Sequence, residues 1–349
     1  MVSELEALTP EMPEFDSTDP SPKAVAVDML SVLRQMKMSH FKTLGEFVMA
    51  MVNKAVHISR NIVSVHFIRD SYVEFSLKEA ERLKRKGETD ELEIINMKSD
   101  TPTPKQEDKF WASERSKTNL LDFACDFILQ ANNLFPTCSF TVSGCVRDNE
   151  SISAQTVDLL IPELNSYIEE ADQRVINHIN QITNEERVYK IILLSNDADT
   201  FAHVLRYMHG WTRTGLKELW QKYGHPPRMV SVHSISAYHG PATSRNIIKA
   251  HIITGNDVLS KIGSKKCAVC VDYLPLLSNL GESTRVPSPQ DIQLAEQYLV
   301  YCWVGLSSKT NCTNFDDLRL ERYTSGENYI EKIRNEVYSM IYTKHTPSL

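Results

Sequence analysis

Short apolar runs alternate with longer segments of helical periodicity over the first two-thirds of the chain. Continuous or alternating apolar residues predict strands, and apolar residues at three- and four-residue intervals predict helices. The predicted strands cover residues 24–28, 61–70, 189–197 and 229–235, and the predicted helices cover 41–59, 75–86, 118–132, 169–183 and 200–209. Alternation of this kind indicates an α/β fold with a mostly parallel central sheet and helices on both faces.

The last third of the chain has helical periodicity almost throughout. Helices are predicted at residues 243–253, 265–277, 289–304 and 326–342. We therefore expect the sheet-containing domain to occupy residues 23–285 and a helical extension to occupy 286–349.

Composition places the chain among ordinary globular proteins and locates its acidity. The chain has 349 residues, is 42% hydrophobic and carries a formal charge of −7. Residues 1–22 hold six acids, no Lys or Arg and four of the 15 prolines, which predicts a disordered acidic tail. Without that tail, 39 acids face 38 basic residues, so the body is nearly neutral. The tail is open to two interpretations, a solubilising leader or a regulatory segment.

Cysteine usage and hydropathy bear on location. Seven cysteines, an odd number spread along a long chain, indicate reduced thiols and an intracellular protein. No apolar run approaches the 18 residues that a membrane span needs, so we expect no membrane partner.

Acidic residues follow the predicted strands and open the helices and turns near them. In an open α/β sheet the carboxyl ends of parallel strands meet at one edge, so acids that follow separate strands converge. Seven acids form this candidate set: Asp28, Asp70, Glu170, Asp172, Asp197, Asp199 and Asp257. Asp257 belongs to a tight turn that follows Gly255.

Carboxylates gathered in one place repel each other unless cations neutralise them. Oxygen ligands without His or Cys favour Mg²⁺ or Mn²⁺, and two such ions about 4 Å apart promote in-line hydrolysis of a phosphodiester. Each acid also has a simpler interpretation. Asp199 suits a helix cap, Glu170 and Asp172 suit a helix N-terminus, and Asp257 suits a turn.

The order of these acidic motifs resembles the PIN-like metal-dependent nucleases, specifically the flap endonuclease branch. Glu170 and Asp172 resemble its Glu-Ala-Glu-Ala element, Asp197 and Asp199 its Asp-x-Asp motif, and Asp257 its Gly-x-Asp turn. The phrases EEADQRVINHI, ILLSNDADTF, LKELWQKYG and HIITGNDVLSKIGSKK are also similar to transposon-associated PIN-like proteins of animal genomes. The resemblance spans about residues 23–310.

The resemblance implies Mg²⁺- or Mn²⁺-dependent cleavage of DNA or RNA at ends, flaps or junctions, and a nuclear rather than cytoplasmic location. It implies two ions, one held by Asp28, Asp70, Glu170 and Asp172 and the other by Asp197, Asp199 and Asp257. It also implies that residues 23–285 are the PIN-like nuclease domain and that 71–117 form an arch- or cap-like insertion over the substrate.

Basic residues near the arch and the Gly-x-Asp turn are the candidate nucleic-acid contacts. They are Lys78, Arg82, Lys84, Arg85, Lys86, Lys265 and Lys266. A solvated helix face explains the first five equally well, because Glu79 and Glu81 lie in helical pairing range. The sequence departs from the family at Arg69, where a Phe is usual, and around Lys265, where the turn lacks its second glycine.

Two other functions remain open at this level. The first is a catalytically inactive PIN-like module that binds nucleic acid or protein, as a domesticated transposon protein would. The second is another Mg²⁺-dependent phosphohydrolase, against which the spread of paired acids over five segments counts.

Overall fold

The computed structural model describes residues 1–70, 91–145, 150–153, 159–166, 168–254, 271–281, 286–304 and 311–324. Its strands are β1 (Lys23–Asp28), β2 (Ile62–Ile68), β3 (Ser139–Cys145), β4 (Glu150–Ser153), β5 (Leu159–Leu160), β6 (Lys190–Leu194), β7 (Glu218–Tyr223) and β8 (Arg228–Ser231). Its helices are α1 (Val2–Leu8), α2 (Met29–Arg34), α3 (Leu44–Val56), α4 (Glu107–Ala112), α5 (Glu114–Ala131), α6 (Ala171–Asn184), α7 (Ala198–Arg213), α8 (Val232–Ile253, interrupted by a kink at Gly240), α9 (Pro289–Val304) and α10 (Phe315–Thr324).

The strands form one sheet in the order β5-β4-β3-β2-β1-β6-β7-β8. β3, β2, β1, β6 and β7 are mutually parallel, and β4, β5 and β8 add antiparallel pairs at the two edges. Chain order reverses at β1, because β2 and β3 lie on one side of it and β6 and β7 on the other. This arrangement confirms the predicted fold class. It also makes the carboxyl end of β1 a topological switch point, where ligands bind in open α/β sheets.

Each face of the sheet is covered by different helices. Val25 and Val27 of β1, with Phe67 of β2, belong to a buried apolar cluster that also contains residues of α2, α3 and α5. The opposite face packs on α6, which contacts both β1 and β2. The alternation of side chains along each strand therefore places its even and odd positions against different helix layers.

The amino-terminal segment is ordered, which corrects the prediction that residues 1–22 form a disordered tail. Leu5 of α1 is buried, and the ring of Phe15 packs edge-on against Trp220 at 5.3 Å. The carboxylate of Asp19 accepts a hydrogen bond from Lys190 Nζ at 2.7 Å, and this bond lowers the pKa of Asp19. Composition indicated disorder because it counted the acids and prolines and not the few apolar residues that anchor the segment.

The chain divides into two compact units, and the division differs from the predicted one. One unit comprises Val2 and residues 6–238, and the other comprises Met1, residues 3–5 and residues 239–349. The sequence placed the boundary near residue 286. The described residues of the second unit are mainly helical, as expected, and none of the described helices is long and apolar enough to cross a lipid bilayer.

The described part of the predicted insertion, residues 91–117, packs on the core. The Ser116 hydroxyl donates to the carbonyl of Leu92 at 2.9 Å and accepts from the amide of Ile94 at 3.0 Å. Phe110 of α4 is fully buried in the apolar cluster that contains Val25 and Phe67 of the sheet. This half of the segment is therefore part of the domain body, whereas residues 71–90 lie outside the described residues.

A buried polar chain joins β2 to α6. His66 Nδ1 lies 2.9 Å from His178 Nδ1, and His66 Nε2 lies 2.6 Å from Glu186 Oε1. Burial, with the neighbouring charge of His66, holds the pKa of His178 well below its usual range. Burial acts to raise the pKa of Glu186, but the hydrogen bonds from His66 and Ser64 and the electrostatic interaction with His66 together outweigh it and lower that pKa. The two ring nitrogens of His66 thus join His178 and Glu186 in one buried hydrogen-bonded chain.

The buried polar chain predicts that His178 makes an acid-sensitive contribution to stability. Unfolded His178 takes up a proton near its ordinary pKa of 6.5, whereas the folded ring does not. The contribution of His178 to the free energy of unfolding should therefore fall by up to about 1.4 kcal/mol per pH unit as the pH drops below about 6.5. Urea titrations of the unmodified chain and of His178→Gln between about pH 7.5 and pH 5 isolate this contribution, because the Gln amide can hydrogen-bond to His66 but does not titrate. The stability of His178→Gln relative to the unmodified chain should rise as the pH falls. A difference that does not change with pH, or an equal rise in the exposed control His40→Gln, contradicts the prediction.

Candidate functional site

Three of the predicted acids meet at the carboxyl edge of the sheet. Asp28 is the last residue of β1, Asp70 follows β2, and Asp197 follows β6. Since β1 lies between β2 and β6 and all three are parallel, their carboxyl ends are adjacent. The charges of Asp70 and Asp197 both act on Asp28. The convergence expected from the sequence is therefore present for these three residues.

Asp28 is the buried member of the group. Its Oδ1 accepts a hydrogen bond from the amide of Ser31 at 3.0 Å, which caps the N-terminus of α2. Its Oδ2 accepts from the hydroxyl of Ser195 at 3.1 Å. Burial, followed by repulsion from Asp70, raises the pKa of Asp28 to about 8. The carboxylate is thus held in a position where its own negative charge is unfavourable.

The loop between β6 and α7 carries Asp197 and Asp199. Asp197 caps α7, and its Oδ1 accepts from the amide of Asp199 at 2.9 Å. The cap interpretation therefore applies to Asp197 rather than to Asp199. Asp197 is exposed and Asp199 is half-buried, so this side of the group is open to solvent.

Two buried polar residues, Ser195 and Gln221, hold this loop in place. Ser195 Oγ donates to Asp28 and accepts from the amide of Asp197 at 3.3 Å, so one hydroxyl ties β1 to the loop. Gln221 Nε2 donates to the carbonyls of Ser195 and Asp197, each at 3.0 Å. Since Gln221 lies in β7, the neighbouring strand holds the loop in register with the edge of the sheet.

The third acid, Asp70, is joined to the start of α6. Its Oδ1 accepts from the amide of Ala171 at 2.8 Å. Glu170 is the N-cap residue of that helix and Asp172 lies in its first turn. This hydrogen bond places the carboxylate of Asp70 beside the helix N-terminus that carries the predicted pair Glu170 and Asp172. The dipole of the helix favours negative charge at this end.

A buried arginine supports this side of the site. The guanidinium of Arg174 donates to the carbonyls of Ile168 at 2.6 Å and Ser166 at 3.1 Å, and it lies 3.4 Å from Ser143 Oγ. Burial, followed by repulsion from Arg69, lowers the pKa of Arg174 to about 10, while the charge of Asp70 acts in the opposite direction. The only signal in the sequence is its spacing of one helical turn from Glu170.

Arg69, the departure from the family pattern, pairs with Asp122 of α5. Its Nε donates to the backbone carbonyl of Asp70 at 3.1 Å. The ion pair thus uses an acid outside the predicted set, and Arg69 contacts Asp70 through the backbone.

The donor chemistry suits a hard divalent cation, since the predicted ligands are carboxylates with no His or Cys among them. Repulsion at Asp28 is a second feature that a cation would relieve. Among the described residues, however, no three His, Cys, Asp or Glu side chains are grouped closely enough to hold one ion. Asp257 lies outside the described residues, as do the predicted contacts Lys78, Arg82, Lys84, Arg85, Lys86, Lys265 and Lys266.

Comparison with known proteins assigns no function to the chain. No family model matches the chain, and no curated protein matches it. Among solved structures, the chain is similar to a flap endonuclease of bacteriophage T5, described as a pseudo-enzyme–product complex with DNA and metal ions. The similarity covers 81% of this chain and 88% of that one, at 11% identity and a TM-score of 0.38. A TM-score this low supports no functional assignment, which must rest on the site residues.

Proposed function

We propose that the protein is a metal-dependent phosphodiester hydrolase, a nuclease that acts on DNA or RNA with ends, flaps or junctions. The observation that supports this most directly is the meeting of Asp28, Asp70 and Asp197 at the switch point of the sheet. A buried carboxylate whose ionisation is opposed by two neighbouring acids is costly, and it is retained where a cation or a proton transfer needs it.

The proposed ion ligands are the predicted acids. Two Mg²⁺ or Mn²⁺ ions would be held, one by Asp28, Asp70, Glu170 and Asp172 and the other by Asp197, Asp199 and Asp257. Bound cations of this type polarise the phosphate and lower the pKa of the attacking water. The chain's own contribution is placement: Ser195 orients Asp28, Gln221 holds the loop of Asp197, and Arg174 holds the backbone that leads into Glu170.

A second candidate function is a PIN-like module that binds nucleic acid or protein without cleaving it. The observation that favours it is the guanidinium of Arg174, whose charge acts on Asp70. An arginine near a carboxylate can satisfy that charge without a metal ion. The two functions differ in whether a divalent cation stabilises the fold, and this difference can be measured without any substrate.

A panel of end-labelled substrates tests the proposed function directly. Single-stranded, duplex, flap and hairpin forms of DNA and of RNA would be incubated with the protein in Mn²⁺ and, separately, in EDTA. We expect cleavage of at least one structured substrate in Mn²⁺ and none in EDTA, because the acids alone repel the phosphate. Cleavage that persists in EDTA, or no cleavage of any substrate in Mn²⁺ or Mg²⁺, rules the proposal out.

A further inference from the structure

The hairpin between β7 and β8 stands beside the acidic loop. Tyr223 and Arg228 are its closing pair, directly opposite each other in the antiparallel register. The amide of Gly224 donates to Asn196 Oδ1 at 2.6 Å, which ties the hairpin to the loop that carries Asp197. The hairpin is therefore attached to the rim of the acidic site.

Tyr223 and Arg228 form a small aromatic and cationic surface there. The guanidinium carbon of Arg228 lies 6.0 Å from the centre of the Tyr223 ring. Burial raises the pKa of the Tyr223 hydroxyl, and the charge of Asp197 raises it further, while Arg228 acts in the opposite direction. Arg228 and the site acid Asp197 thus both act electrostatically on the Tyr223 hydroxyl, in opposite directions.

Glu6 of the amino-terminal acidic segment forms an ion pair with Arg228. Arg228 Nε donates to Glu6 Oε1 at 3.3 Å, and Arg228 Nη2 forms an ion pair with Glu6 Oε2. The side chain of Arg228 is 44% exposed and that of Glu6 is 18% exposed, so a competing anion in solvent can reach the guanidinium. A guanidinium that makes a bidentate contact of this kind can bind a phosphate group as well as a carboxylate.

We propose that Arg228, flanked by Tyr223, is a phosphate-binding position for the nucleic-acid substrate, and that Glu6 occupies it as an internal competitor. This inference rests on the proposed function, because it takes the substrate to be a nucleic acid. Phosphate bound at Arg228 would lie at the rim of the acids, with the Tyr223 ring available to a neighbouring base. The acidic segment then acts as a regulator rather than as a solubilising leader.

Binding measured without cleavage tests this assignment. Fluorescence anisotropy with labelled single-stranded DNA and RNA, in EDTA, compares the full chain with four variants: Glu6→Gln, Glu14→Gln, Arg228→Gln and the double variant Glu6→Gln/Arg228→Gln. Glu6→Gln should tighten binding about two- to fivefold, the range expected when an exposed ion pair no longer competes. Glu14→Gln removes the same charge from an exposed position of the same segment and should change little.

Arg228→Gln should weaken binding by about threefold or more and reduce the slope of log K against log salt by about one phosphate contact. The Glu6→Gln effect should then disappear in the Arg228→Gln background, because the two residues act on each other. The assignment is overturned if Glu6→Gln and Glu14→Gln behave alike, if Glu6→Gln still tightens binding without Arg228, or if no form binds either nucleic acid. If the four variants bind as expected but no substrate is cleaved in Mn²⁺, the proposed nuclease activity is wrong and the assignment of Arg228 as a phosphate-binding position is retained.

Discussion

Asp197→Asn should lower metal-dependent cleavage by about a thousandfold and leave the protein folded. Loss of an ion ligand removes several kcal/mol of transition-state stabilisation, and each ~1.4 kcal/mol corresponds to a factor of ten in rate. Asparagine retains an oxygen that can accept from the amide of Asp199, so the cap of α7 is preserved. Initial rates on the best substrate of the panel, with circular dichroism of the same preparation, measure both parts of the prediction.

Asp126→Asn is the matched control, because it makes the same chemical change at an exposed position of α5 outside the acidic group. It should cleave at the rate of the unmodified chain. Asp28→Asn should resemble Asp197→Asn. Normal cleavage by both site variants would show that these acids do not carry the reaction, even if the protein proves to be a nuclease.

The adjacent strand ends that carry Asp28, Asp70 and Asp197 were predictable because two independent regularities agree on them. The apolar runs that end at Asp28, Asp70 and Asp197 are continuous and strongly β-forming, as strands buried on both faces are. Their alternation with helices implies parallel strands, and parallel strands place their final residues at one edge. Neither step needs knowledge of tertiary contacts, and β1, β2 and β6 confirm both.

The strand β7 was missed for a reason that concerns the site itself. Its sequence includes Glu218, Gln221 and Lys222, which interrupt the apolar pattern of a central strand. Gln221 is buried because two loop carbonyls accept its amide hydrogens. A buried polar residue is stable only with such partners, and the partners are known only once the strands are assembled.

The ordered amino-terminal segment escaped prediction on similar grounds. Its acids are numerous, but Asp19 forms an ion pair with Lys190 and Glu6 forms one with Arg228. Both basic partners are distant in sequence. Net charge counts these residues as uncompensated when the fold pairs them. The same pairing is what suggests a regulatory role for the segment, because one of its partners borders the acidic site.

Asp28→Asn should stabilise the metal-free protein while it weakens the stabilisation by Mn²⁺. Folding raises the pKa of Asp28 from 3.8 to about 8, so the folded state holds this proton more tightly than the unfolded state does. The stability that protonated Asp28 contributes is complete below about pH 4 and is lost as the pH rises towards about 8. Asparagine has no proton to lose, and it can still accept from Ser31 as a helix cap. We expect its advantage to grow by up to about 1.4 kcal/mol per pH unit between about pH 5 and pH 8.

Thermal unfolding of both proteins with and without Mn²⁺, at pH values on each side of this window, separates the two candidate functions. A nuclease site should gain about 2.7 kcal/mol from a cation at a hundred times its dissociation constant, and Asp28→Asn should gain less at the same Mn²⁺ concentration because it lacks one ligand. A module that binds without cleaving should show the stabilising substitution and no Mn²⁺ response in either protein. If instead Asp28→Asn is no more stable than Asp126→Asn at about pH 8, then the carboxylate of Asp28 carries no unfavourable charge, and the central reason for placing a cation beside it is removed.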